Sequence, residues 1–214
     1  MRLWDISEPV DESSAVFPGD TPFSREWVAR IEQGSACNVS AMRMSVHVGT
    51  HTDSPLHFDC AGQDMAAVDL RQYIGRCRVV DVRGEGSPKL VPAAALTDAM
   101  LHGAERLLLR TAAKHDRRVW DPEFCAIGPA AAARLVAAGI VLVGIDTPSV
   151  DHATSKDLQG HHVLYRGGIA LLENLDLTAV PAGDYELIAL PLRLVGSDSS
   201  PVRAVLRELR AATT

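Results

Sequence analysis

Three of the chain's eight histidines stand within eleven residues, in "SVHVGTHTDSPLHF" at 45–58. His47, His51 and His57 share that run with Asp53 and Pro55. Two imidazoles and a carboxylate so close together suit a divalent ion such as zinc or manganese. A further imidazole can carry a proton near neutral pH. A single histidine would read as ordinary polar surface. Three with an aspartate favour a metal or catalytic site over a solvated strand face.

His47 and His51 are four apart, the helical spacing of a metal pair, but their neighbours oppose a helix. Val46, Val48, Thr50 and Thr52 are β-branched, Gly49 lies between the imidazoles, and Pro55 follows. Residues 38–53 are therefore expected to form one long extended segment. Period two puts Met42, Met44, Val46 and Val48 on a core face, and Ser45, His47, Gly49, His51 and Asp53 on the other. His57 keeps that parity beyond Pro55. Gly49 is expected to leave room between the imidazoles.

Further strands are expected at 3–6, 77–82, 105–111, 140–147, 169–177 and 185–194. Helices are expected at 91–101, at 128–139, and at 155–165 with Ser155 as cap. A last helix is expected from Ser200, with Pro201 in its first turn. "FPGDTPF" at 17–23 reads as a turn. No linker, repeat or low-complexity stretch divides the chain. The expectation is one α/β domain over 1–214, with a mixed β-sheet core flanked by helices.

Composition narrows the partners. The net charge is 21 − 27 = −6 and no basic cluster offsets it, which argues against nucleic acid. The longest apolar run, "LVAAGIVLVGI" at 135–145, is too short to span a bilayer, and the N-terminus lacks a signal peptide's apolar core. Cys37, Cys60, Cys77 and Cys125 form no CxxC pair, so buried, reduced thiols and a cytoplasmic location are expected.

"HVGTHTDSPLH" at 47–57 resembles the HxGTHxDxPxH signature of the cyclase-like metal hydrolases. The likeness continues through "PGDTP", "GIDTPSVD", "SKDLQGHH", "ENLDL", "VPAGDYELIALPLRL" and "SPVRAVLREL", covering nearly the whole chain. The later blocks resemble the bacterial kynurenine formamidase branch. The resemblance implies a swivelling β/β/α fold and a homodimer with a small-molecule substrate. It implies His47, His51, Asp53, His161 and Glu173 as ligands of two zinc ions, Asp53 bridging them, and His57 as proton donor and acceptor. Manganese or another divalent ion is the alternative metal. His161 and Glu173 keep the family's twelve-residue separation, and His162 is the competing neighbour. On a helix the two histidines point about 100° apart, so one alone can face the site. His162 is expected beside Leu158 and Tyr165. Glu173 lies in an apolar run, where a carboxylate needs a metal or a salt-bridge partner. His102, His115 and His152 are read as surface, and Asp59 and Asp64 as solvated.

The implied reaction is hydrolysis of N-formyl-L-kynurenine to L-kynurenine and formate, in tryptophan degradation. One residue departs from the family pattern. Phe17 precedes "PGD" where a tryptophan usually packs on the aromatic substrate, so Phe17 offers a smaller apolar face with no indole N–H. The competing readings are a related hydrolase that opens a cyclic amide such as isatin, and a non-catalytic metal-binding module.

Overall fold

The computed structural model describes residues 2–82, 89–111 and 116–209. Leu107, Leu108 and Leu109 are fully buried, with Leu108 in one apolar cluster and its two neighbours in another. A strand covered on both faces needs such an uninterrupted apolar run. It sits inside a seven-stranded sheet made of β1 (Leu3–Asp5), β5 (Ile74–Asp81), β6 (Arg106–Arg110), β7 (Leu142–Ile145), β8 (Ala170–Leu172), β9 (Gly183–Ile188) and β11 (Val205–Glu208). The order is β1-β11-β9-β5-β6-β7-β8. Strands β5 to β8 run parallel, while β1, β11, β9 and β5 pair antiparallel. Two small antiparallel pairs complete the strands: β2 (Ser24–Ala29) with β3 (Val39–Arg43), and β4 (His51–Asp53) with β10 (Ser199–Pro201).

The helices are α1 (Asp98–Leu101), α2 (Gly128–Ala137) and α3 (Gln159–Arg166). Both α2 and α3 lie in crossovers between parallel strands, the connection such strands require. Gly128, at φ +67°, opens α2, and Pro129 occupies its first turn. Ala131, Leu135 and Leu164 bury the helical faces against the cluster that holds Leu107 and Leu109. Each fully buried leucine contributes roughly 1.5–3 kcal/mol. This packing fixes the start of α3, which carries a site residue.

The mixed α/β architecture agrees with the expectation, but several elements differ. Residues 38–53 are not one strand. β3 ends at Arg43, the chain turns through 46–50, and β4 begins at His51. Met42 is 67% exposed, so the proposed core face does not exist there. Gly49 has φ +71°, and a Cβ on it would lie 2.5 Å from a Val10 methyl. Glycine is needed for that turn and that contact, and not for space between imidazoles.

The expected C-terminal helix is instead β10 and β11. Val202, Ala204 and Leu206 are buried at period two while Arg203 and Arg207 pair with acids outside the core. Residues 91–101 hold only a helical turn and the short α1. Helix α3 starts at Gln159, and the Ser155 hydroxyl caps the turn before it by accepting from the Leu158 amide at 3.1 Å. The strand expected at 169–177 stops at Leu172, because Asn174 takes φ +55° and turns the chain. The strand at 185–194 ends at Ile188. Of the thiols, Cys77 is buried and Cys125 half-buried, but Cys37 and Cys60 are exposed, contrary to expectation.

Candidate metal centre

Strand alternation puts His51 and Asp53 on one side of β4, with Thr52 opposite, bonded to the Tyr73 hydroxyl. An isolated bridge then sets Glu173 beside them. The His51 amide donates to the Glu173 carbonyl at 3.3 Å, and the Glu173 amide donates back at 3.1 Å. His51 Nε2 lies 3.2 Å from Glu173 Oε2 and 3.7 Å from Asp53 Oδ1. All three side chains are buried.

Helix α3 delivers His161. Its Nε2 is 3.5 Å from Glu173 Oε1 and 3.7 Å from Asp53 Oδ2. Asp151 fixes that orientation. It accepts from the Gly160 and His161 amides, each at 2.9 Å, and from His161 Nδ1 at 2.8 Å. Gly160 is required because a Cβ would lie 2.9 Å from Asp151 Oδ1. His162 turns away, half-buried, with its ring 6.2 Å from that of Phe58.

The turn at 46–50 brings His47 to the same aspartate, with Nδ1 3.2 Å from Asp53 Oδ1. His47 Nε2 donates to Asp198 Oδ2 at 2.9 Å. His57 follows Pro55 in a helical turn; its ring is 4.5 Å from the His47 ring, and its Nδ1 donates to the same Asp198 oxygen at 3.3 Å. Among the described residues, two groups with ion-binding geometry result, His47–Asp53–His57 and His51–Asp53–Glu173, and Asp53 belongs to both. The structure thus brings together His47, His51, Asp53, His57, His161 and Glu173.

Asp151 and Asp198 were not anticipated. Asp151 lies ten residues before His161, too far for a local helix cap, and Asp198 lies 141 residues after His57. Asp151 closes the block "GIDTPSVD" without any local sign of its partner, and Asp198 has no local sequence signal. His152, expected at the surface, lines the cavity, while His102 is exposed as expected. His115 is outside the described residues. Asp59 and Asp64 are half-buried and accept from the Tyr165 hydroxyl and the Gly196 amide, so neither is simply solvated.

Buried polar atoms normally find hydrogen-bond partners. Among the described residues, His51 Nε2, His161 Nε2 and both Asp53 oxygens have none. The other nitrogens of His51 and His161 are occupied, by the Gly49 carbonyl at 2.9 Å and by Asp151. Each ring therefore turns Nε2 toward the Asp53–Glu173 pair, the nitrogen that offers a lone pair to a metal once it carries no proton. The residues fit a divalent ion: nitrogen and oxygen donors, no thiolate, and unpaired atoms converging on one buried space.

Without an ion, protons supply the balancing charge. Burial opposes a charge on His47, but the neighbouring Asp53 and Asp198 carboxylates outweigh it and raise the imidazole to about 9. Burial opposes a charge on His161 too, and Asp151, Asp53 and Glu173 hold it well above its ordinary value. Burial would raise Asp53, yet His161, His47 and His51 keep it well below the usual carboxylate range.

The centre lies in a cavity of about 1170 Å³. Ligand sites span roughly 300–1,000 Å³, so an amino-acid-sized substrate fits whole. Phe17 lines it at 46% exposure, edge-on to Trp120 with ring centroids 5.2 Å apart. Trp120 in turn meets Phe124, making an aromatic wall.

The sequence model of the Cyclase family matches residues 4–152. The kynurenine formamidase of Delftia acidovorans is 50% identical over 208 residues, covering 97% of this chain and 98% of that protein. The chain belongs to the kynurenine formamidase branch of the Cyclase family. Among solved structures, a potential metal-dependent hydrolase with cyclase activity superposes on this family member with TM-score 0.82 at 27% identity, covering 98% of this chain and 99% of that one. Isatin hydrolase A from Labrenzia aggregata, bound to benzyl benzoate, gives TM-score 0.81 at 20% identity, covering 98% and 94%, and shows a shared fold.

Metal uptake at this formamidase-family site is expected to depend on pH. An ion must displace the protons of His47 and His161, so affinity should rise with pH until His47 titrates at about 9. Each displaced proton contributes about tenfold per pH unit. The His47 proton also stabilises the metal-free fold; that contribution is full below 6.5 and is lost as pH rises through about 9. Metal titrations at pH 7, 8 and 9 should tighten by roughly one to two decades per unit. A flat series would contradict protonated imidazoles at the centre.

Proposed function

We propose that the chain hydrolyses N-formyl-L-kynurenine to L-kynurenine and formate, a step of tryptophan degradation in the cytoplasm. The observation that carries this reading is the set of unpaired donor atoms converging beside an aromatic-walled cavity. The 50% identity to a kynurenine formamidase supports the substrate. His47, His51, Asp53, His161 and Glu173 would hold two ions, zinc first among the candidates. The membership of Asp53 in both candidate groups supports its place in the ligand set.

When bound, the metal supplies Lewis acidity at the formyl oxygen and lowers the pKa of water toward about 7. The chain's residues do the rest. Phe17 and Trp120 offer the aryl ring an apolar aromatic wall. Asp151 and the Gly49 carbonyl keep two imidazoles turned inward. His57 takes one proton of the attacking water and returns it to the aniline nitrogen as the C–N bond breaks, so a neutral amine leaves with formic acid, which gives up its remaining proton to solvent as formate. An imidazole suits both transfers because its ordinary pKa is near 6.5.

A homodimer is proposed as the working assembly. The β2–β3 hairpin supports it, because it exposes Trp27, Val28, Val39 and Met42 away from the core.

The test is direct. Metal-loaded protein offered N-formyl-L-kynurenine and isatin side by side should turn over the formamide and leave isatin intact. Preferential ring opening of isatin would favour the cyclic-amide reading. Bound metal with turnover of neither would favour a binding module.

A further inference from the structure

We propose that Asp198 is the positioning residue for His57. The inference rests on the reading of His57 as proton carrier. Among the described residues, Asp198 provides the hydrogen bond to the His57 ring, at Nδ1 and 3.3 Å. A proton held at Nδ1 leaves Nε2 free to exchange its proton with the reacting atoms. The same carboxylate oxygen accepts from His47 Nε2 at 2.9 Å, so one acid sets the tautomer of the proton carrier and of a neighbouring candidate ligand together.

The position of Asp198 follows from backbone pairing. β10 pairs with β4 so that Ser199 stands opposite Asp53, which puts Asp198 beside the ligand strand. The Asp198 carbonyl accepts from the Ser54 amide at 2.8 Å and from the Ser54 hydroxyl at 3.0 Å. Ser54 and Ser199 are fully buried, so the carboxylate projects from a rigid base. Its own side chain is 44% exposed and lines the cavity. Its carboxyl group is therefore free to serve the two imidazoles.

The test is a double-mutant cycle at saturating metal, with bound metal measured in every variant. Residues that support a functional ligand typically contribute about 10–100-fold. Asp198→Ala should lower kcat by that factor with metal occupancy and KM little changed. Asp198→Asn keeps one acceptor oxygen and the side-chain shape, and should fall between Asp198→Ala and the parent enzyme. In a His57→Ala background, Asp198→Ala should cost clearly less than in the parent enzyme, because only its contact with His47 is left to lose. The same fold loss in both backgrounds, no loss in either, or loss of bound metal with activity would each overturn the assignment. Full activity in His57→Ala alone would instead remove the proton-carrier reading on which it rests.

Discussion

His161→Ala is expected to lose bound metal and measurable formamide hydrolysis, while His162→Ala keeps most of both. His161 is 2% exposed and turns an unpaired Nε2 toward Asp53 and Glu173, whereas His162 packs against Phe58 outside the donor cluster. The loss of affinity should exceed the roughly 10–100-fold typical of residues that only support a ligand. Stability should fall as well, because Asp53, Asp151 and Glu173 are buried acids that His161 contacts. Removing one partner of a buried charge pair costs about 3–5 kcal/mol. Metal analysis, kcat and thermal melts of the two variants check these outcomes. Metal loss in His162→Ala with retention in His161→Ala would reverse the assignment.

The second large effect separates binding from catalysis. His57→Ala should keep its metal and lower kcat by roughly 10²–10⁴-fold, the usual contribution of a general acid–base group. His57 stands in one candidate ligand group with His47 and Asp53, so metal content decides between the two roles. A ring-substituted formanilide series adds a finer readout. Electron-poor anilines leave with less help, so they should lose less from the substitution. An unchanged leaving-group dependence would reject proton donation to nitrogen. Metal loss in the variant would move His57 into the ligand set.

Residue type and spacing made the donor cluster legible without coordinates. Few arrangements other than a metal or catalytic centre call for three imidazoles and a carboxylate in so short a run. The local geometry behind them was not legible. Period two over 38–53 assumed an unbroken strand, and the assumption failed after Arg43, where the chain leaves β3 for a turn that includes Gly49 at positive φ. Asp53 still meets His47, through that turn and not through strand parity. At the C-terminus, Val202, Ala204 and Leu206 carried a two-residue period, but Ser200 and Pro201 also matched a helix start. Pairing with β9 and β4, remote in sequence, decided for strands. Asp151 and Asp198 escaped notice for a related reason. Each acts on an imidazole that only the folded chain brings near, and an isolated acid in a loop carries no local pattern.

The substrate comparison becomes most decisive when run on protein stripped of metal and then reloaded in steps. Turnover of N-formyl-L-kynurenine should vanish on chelation and return in proportion to divalent ion bound, levelling when the Asp53-centred site is full. Undiminished turnover in protein shown to hold no metal would contradict a metal centre at His47, His51, Asp53, His161 and Glu173.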